Sequence, residues 1–196
     1  IDNLWTSGEK EMSKIRGVSL EVKSGEIVGI AGIDGNGQSE LIEAICGLRK
    51  VEKGSILLDG KNITNKSVKK IRKAGLSHIP EDRNVRGLNR NMTIEENIVA
   101  AQISDAPFSN GIMLNNTKML EYTNELIDKF DIRPRNPQTL TQGMSGGNAQ
   151  KIVVAREVSI GGKVLIASQP TRGVDIGAIE SIRTILMDVK EKGLGV

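Results

Sequence analysis

The stretch Gly32-Ile33-Asp34-Gly35-Asn36-Gly37-Gln38-Ser39 constrains this chain more than any other segment. An apolar run, Glu26–Ala31, precedes it, and an amphipathic pattern from about Ser39 to Leu48 follows, so the glycines fall at a strand-to-helix turn. That is the setting of a GxxxxGK(S/T) loop, in which backbone N–H groups and a helix N-terminus together cradle an anion. The lysine position holds Gln38. A neutral amide can hydrogen-bond a phosphate oxygen but cannot neutralise it. The segment predicts a chain that holds a nucleotide on Gly32, Asp34, Gly35, Asn36, Gly37, Gln38, Ser39 and Glu40 and is poorly equipped to cleave it.

With 196 residues, 38% hydrophobic and 26% charged, the chain is long enough for a globular domain with a real core. No apolar run approaches the ~20 residues that span a bilayer, and no signal-peptide pattern is visible at the N-terminus. The start without Met and the end at Gly193-Leu194-Gly195-Val196 predict a fragment of a longer protein. The one cysteine, Cys46, excludes an internal disulfide and, on the apolar side of the helix after the loop, reads as a buried structural thiol. A net charge of +3, aromatic content of 2%, and a basic run Lys61–Lys73 interleaved with Ile63, Val68 and Ile71 point to a solvated helix face. Nucleic acid is not an expected partner, since stacking platforms for single strands need aromatic residues.

Strand-like and helix-like segments alternate along the chain. Strands are expected at Val18–Val22, Glu26–Ala31, Ser55–Gly60, Leu76–Ile79 and Lys163–Ala167, the last a short apolar run suited to a buried parallel strand. Helices are expected near Ser67–Lys73, from the capping box Thr93-Ile94-Glu95-Glu96 to about Ile103, at Asn116–Phe130, at Ala149–Val158 and from Gly177 onward. The expected fold is α/β: a P-loop core with a mixed, mainly parallel sheet, antiparallel N-terminal strands and a helical subdomain. Three regions follow: residues 1–91 as nucleotide-binding core, 92–143 as helical subdomain, and 144–196 as the return to the core.

Two further motifs bear on chemistry. Met144-Ser145-Gly146-Gly147-Asn148 precedes a helix and puts a hydroxyl and several N–H groups at its start. The residues Val164–Ala167, then Ser168-Gln169-Pro170-Thr171-Arg172-Gly173-Val174-Asp175, form an apolar strand followed by a polar pair. Nucleotide hydrolases carry a magnesium-binding and a water-activating carboxylate there, and neither is present.

In order and spacing these motifs resemble the nucleotide-binding domain of ATP-binding cassette (ABC) transporters, over nearly the whole chain. The resemblance makes Ser145, Gly146, Gly147 and Asn148 the signature, Glu81 of Ile79-Pro80-Glu81-Asp82-Arg83 the counterpart of the inter-domain glutamine, and Asp175 the residue of the loop after the metal-binding strand. The wording Pro80-Glu81-Asp82-Arg83, Met144–Asn148 and Pro170-Thr171-Arg172-Gly173-Val174-Asp175 is similar to the second, degenerate ATPase half of bacterial sugar and nucleoside importers. The resemblance implies ATP and Mg2+ as cofactors, with Ser39 offering its hydroxyl to the metal. Implied partners are a first cassette fused in the same chain, membrane permease subunits and, indirectly, an external substrate-binding protein, with the domain on the cytoplasmic face of the membrane. The chain departs from the family at Gln38, Ser168 and Gln169, so no catalytic set is intact. Loss of one preorganised contact costs about 2.7–4 kcal/mol in such sites, and turnover by this domain's own site should nearly vanish. Two roles stay open: donating the signature to a partner's ATPase site while holding nucleotide, or supporting the partner as a nucleotide-free pseudo-ATPase. Trp5 is the one aromatic candidate near the N-terminus for stacking on adenine.

Overall fold

The computed structural model describes residues 1–7 and 15–196. They fall into two units: Ile1–His78 with Gly162–Ile166 and Asp188–Val196, and Ile79–Gly161 with Ala167–Met187.

In the first unit, β1 (Asp2–Thr6) lies between β2 (Ile15–Val18) and β3 (Val51–Ser55), antiparallel to both. From Asn3 to Thr6 the strand alternates, Leu4 and Thr6 pointing inward while Asn3 and Trp5 face out, the period-two pattern of a sheet with one wet face. Across the strands Trp5 is paired with Lys53, whose ammonium sits 5.8 Å from the indole centroid. Gly54 (φ +89°) is required because a Cβ there would collide with the main-chain carbonyls of Asp2 and Asn3. The expected strand Ser55–Gly60 is instead the end of β3 followed by a hairpin, β4 (Leu57–Leu58) and β5 (Lys61–Asn62). Its turn, Asp59-Gly60, has positive φ at both residues, the conformation a tight hairpin demands.

Helix α1 (Gln38–Ile45) buries Leu41 and Ala44 on one face, and they join Leu4, Ile15, Cys46, Val51, Ile56, Leu58, Ile63, Ile71 and Leu76 in a continuous core. Cys46 is buried as its pattern implied. Helix α2 (Val68–Ala74) turns Ile71 into that core and leaves its lysines in solvent.

Two expected strands are corrected. Val18–Val22 carries regular strand structure only at Val18; beyond it Leu20 and Ile1 exchange main-chain hydrogen bonds at 3.1 and 2.9 Å, but no regular strand continues. Glu26–Ala31 runs without regular strand structure. Its ladder bonds are those of Val28 N–H to the Val196 carbonyl and Val196 N–H to the Glu26 carbonyl, each 2.8 Å. An apolar run reports burial or its potential; regular strand structure also needs a neighbour along its length. Strands β6 (Leu76–Ile79) and β7 (Val164–Ala167) are neighbours, with Gly195 in parallel register beside Val164. The sheet structure is thus mixed.

The second unit is largely helical. A π-helical turn (Arg83–Gly87), α3 (Ile94–Val99), α4 (Asn116–Lys129) and α5 (Gly146–Ser159) precede the first part of α6 (Ile176–Glu191). The capping box holds: Thr93 Oγ1 accepts from Glu96 N–H at 3.2 Å and Glu96 Oε2 accepts from Thr93 N–H at 2.8 Å. The helix it opens stops at Val99, four residues short of expectation. Asn97, buried on α3, donates to the carbonyls of Asn89 and Thr93 at 2.9 Å each and accepts from Asn89 N–H at 2.8 Å. Asn97→Ala leaves these partly buried main-chain groups short of partners and is expected to cost about 1 kcal/mol, read as a lower urea midpoint. Among the described residues no helix is long and apolar enough to cross a membrane.

Candidate functional site

The glycine-rich loop belongs to the first unit. Gly35 (φ +87°) and Gly37 (φ +101°) occupy backbone conformations that side chains disfavour, and Gly37 abuts the Ile15 Cδ1, 3.0 Å from where a Cβ would stand. As N-cap of α1, Gly37 offers no side chain to the helix, so the first-turn amides receive no side-chain cap. Such amides and the helix dipole favour an anion. Ser39 is exposed in that first turn, and Glu40 beside it adds a carboxylate. The Gln38 side chain folds back over Gly32, its amide lying where any Cβ at Gly32 would have to sit. Nearby, an open hollow of about 330 Å³ is lined by Trp5, Thr6, Ser7, Ile15, Arg16 and Glu52. Ile15 therefore joins the Trp5 hollow to the loop. Among the described residues no group of three or more His, Cys, Asp or Glu could hold a metal.

The other expected residues lie in the second unit. Ser145 is the N-cap of α5, its Oγ accepting from the backbone N–H of Asn148 at 3.3 Å and from the Asn148 amide at 3.0 Å. Asn148 Oδ1 in turn accepts from Arg133 N–H at 2.7 Å, which ties the turn to the chain after α4. Gly146 and Gly147 are glycine for want of room. A Cβ at 146 would stand 2.8 Å from both the Gly173 carbonyl and Arg83 Nη2, and one at 147 would stand 2.6 Å from Asp175 Oδ2. Asp175 Oδ1 accepts from Ala178 N–H at 2.9 Å and so fastens the start of α6. The structure thus brings the Ser145–Asn148 turn and Asp175 together.

It also joins Glu81 to the polar segment after β7. Glu81 Oε1 accepts from Gln169 Nε2 at 3.0 Å and pairs with the Arg172 guanidinium. An amide stands at 169 and a carboxylate at 81, and that carboxylate is already engaged by a cation. Gln169 adopts φ +44°, a conformation uncommon for a residue with a side chain. Ser168 N–H donates to the Ile79 carbonyl at 2.9 Å, continuing the β6–β7 pairing. Sequence reasoning gave no role to Arg172 or Arg83. Their contacts span about 90 positions and, for Arg83, end on main-chain carbonyls, which no side-chain pattern reveals.

The family model described as ABC transporter matches residues 15–172. The chain is 43% identical over 196 residues to the guanosine import ATP-binding protein NupO of Bacillus subtilis (strain 168), covering 100% of this chain and 38% of that one. It is 45% identical over 183 residues to the nucleoside import ATP-binding protein NupA of Lactococcus lactis subsp. cremoris (strain MG1363), covering 93% and 36%. The chain spans little more than a third of the length of these curated relatives. Its fold matches, at TM-score 0.80 and 24% identity, a dimeric ATP-binding cassette in a post-hydrolysis state bound to ADP and Pi, over 97% of this chain and 82% of the other. The matched span of the family model and the identity to these two relatives show that the chain belongs to the ABC transporter family.

Proposed function

We propose that this chain is the degenerate second cassette of an importer for nucleosides or, as a second choice, simple sugars. In that role it binds nucleotide at its own loop with little or no turnover. It donates Ser145, Gly146 and Gly147 to the ATPase site of a partner cassette, whose hydrolysis drives import. The observation that carries the reading is a contrast. The signature turn is built so tightly that only main chain fits at Gly146 and Gly147, while the loop and strand end hold Gln38, Ser168 and Gln169 in place of charged groups. The nucleoside names of relatives at 43% and 45% identity support the substrate class.

On this reading Gly35, Gly37, Gln38 and Ser39 hold the phosphates through main-chain N–H groups and the Gln38 amide, with Gly32, Asp34, Asn36 and Glu40 shaping the loop. Magnesium carried with the nucleotide would screen phosphate charge, and Ser39 is the loop side chain that would hold it. Ser168 and Gln169 bring no carboxylate to the strand end, and the Glu81 carboxylate nearby is paired with Arg172. Asp175 holds the segment beside the signature. The partners are a first cassette in the same longer chain, permease subunits and, through them, an external binding protein, at the cytoplasmic face of the membrane. The segment Glu81–Asn91 is the proposed contact to the permease, and Val85 on its π-turn is 75% exposed.

A second reading, the nucleotide-free pseudo-ATPase, is favoured by one observation: the Gln38 amide lies against Gly32, inside the loop. Calorimetric titration of the chain with ATP and magnesium separates the two. Micromolar binding without release of phosphate is expected; no detectable binding supports the pseudo-ATPase. Gln38→Lys is expected to tighten binding several-fold, by adding a cation to a phosphate site, and to leave hydrolysis by the assembled transporter within about twofold. A tenfold rise in hydrolysis would contradict an inactive site.

A further inference from the structure

The signature turn, which the proposed function places at the partner cassette, and the 172–175 segment beside it meet on a single side chain. Arg83 Nη1 donates to the Arg172 carbonyl at 2.8 Å and Nη2 to the Gly173 carbonyl at 3.1 Å. The planar guanidinium spans two successive carbonyls as a fork, which a single ammonium cannot do. The same Nη2 lies 2.8 Å from the position a Cβ would take on Gly146. Two residues beyond the forked carbonyls is Asp175, whose Oδ1 accepts from Ala178 N–H and whose Oδ2 lies beside Gly147. One guanidinium thus sets the approach to Asp175 and fills the space beside the first residue of α5. Arg83 itself emerges from Asp82, whose carboxylate accepts from Asn84 N–H at 2.8 Å and Val85 N–H at 3.2 Å and so fixes the π-turn. Glu81, two residues earlier, holds the Arg172 side chain while Arg83 holds its carbonyl.

From this arrangement we infer that Arg83 is a positioning residue. It locks the signature turn 145–148 and the 172–175 segment to the segment that begins at Glu81, so that movement of the π-turn moves both. The functional half of this inference rests on the signature-donor reading; the structural half does not. Arg83 touches no nucleotide in this account, so its loss should change turnover and leave affinity alone.

The test uses the full-length protein assembled with its permease subunits in vesicles. Three variants are compared: Arg83→Ala, Arg83→Lys, which keeps stem and charge but cannot fork, and Gly146→Asp. Steady-state ATPase kinetics and hydrogen exchange by mass spectrometry are read on each. Arg83→Lys is expected to lower kcat at least fivefold, and Arg83→Ala at least tenfold, with KM for ATP within twofold of wild type. Amides in both 145–148 and 172–176 are expected to exchange faster, while those of α4 are unchanged. Unchanged exchange at either turn in both Arg83 variants overturns the inference, as does wild-type kcat in both when Gly146→Asp is inactive. If Gly146→Asp keeps wild-type activity, the signature-donor reading fails by itself, and the exchange data alone decide whether Arg83 holds the two turns. Should the alanine variant not fold, the lysine variant carries the test.

Discussion

Gly146→Asp in the assembled transporter is expected to lower ATP hydrolysis and coupled import by 10²–10³-fold, the usual effect of removing one preorganised donor from a charge-stabilising site, about 2.7–4 kcal/mol. Two physical effects combine. The position where a Cβ would start lies 2.8 Å from the Gly173 carbonyl and from Arg83 Nη2, so the turn must shift to admit any side chain. The side chain is also an anion, placed where the proposed role has main-chain N–H groups facing a partner-bound phosphate. The glycine-rich loop is built from other residues, Gly32–Ser39 in the first unit, so nucleotide binding there should persist. That gives the prediction its shape: turnover collapses while the ATP affinity of this chain, measured calorimetrically, stays within about twofold. Wild-type hydrolysis in the variant would remove the signature from the mechanism.

The largest stability effect is expected at Arg156. This residue is 9% exposed in the last turn of α5. Its Nε donates to Glu157 Oε1 at 2.9 Å, Nη1 to the Asn97 carbonyl at 3.2 Å and Nη2 to the Gly87 carbonyl at 2.8 Å. One cation therefore joins α5, α3 and the end of the π-turn. Arg156→Met removes the cation paired with Glu157, which is 2% exposed, and takes the guanidinium donors from the Asn97 and Gly87 carbonyls. Breaking such a buried pair costs about 3–5 kcal/mol, a large part of the ~5–15 kcal/mol that holds a typical domain together. The urea midpoint should fall accordingly with little change in slope, and Arg156→Met combined with Glu157→Gln should recover part of the loss by neutralising the buried carboxylate that faced the cation. A cost below about 1 kcal/mol would show that Glu157 is held by other groups.

What was legible in the sequence was local chemistry at fixed spacing. The loop from Gly32 to Ser39 leads into α1 as its glycines require, Thr93 and Glu96 form their reciprocal cap, and Ser145 caps α5. Each depends on residues within a few positions of one another. Elements defined by distant partners were legible only where the run was strongly apolar, as at β6 and β7, both expected at their observed places. Strand β3 contains Glu52, Lys53 and Gly54, a poor strand composition, and exists because Gly54 lets the Asp2 and Asn3 carbonyls approach. Glu26–Ala31 has good strand composition but limited pairing, chiefly at Val196. In α6, Ile182 and Val189 are buried, with Ile179 and Leu186 at the half-buried margin, one apolar face at helical spacing. At the candidate site the altered positions 38, 81, 168 and 169 could be located from motif spacing. That Glu81 engages Gln169 and Arg172 could not be read, because the contact joins residues 88 and 91 positions apart.

The central claim is that this chain holds an uncleaved nucleotide while its signature serves cleavage elsewhere. Counting nucleotides through one turnover tests it most directly. The assembled transporter would be loaded with radiolabelled ATP and magnesium, quenched after a single cycle, and its bound nucleotides separated. The account predicts one ADP and one intact ATP for each pair of cassettes, with the intact ATP crosslinked by a photoreactive analogue to the Gly32–Ser39 loop of this chain. Two ADP per pair, or intact ATP found only on the partner's loop, would contradict it.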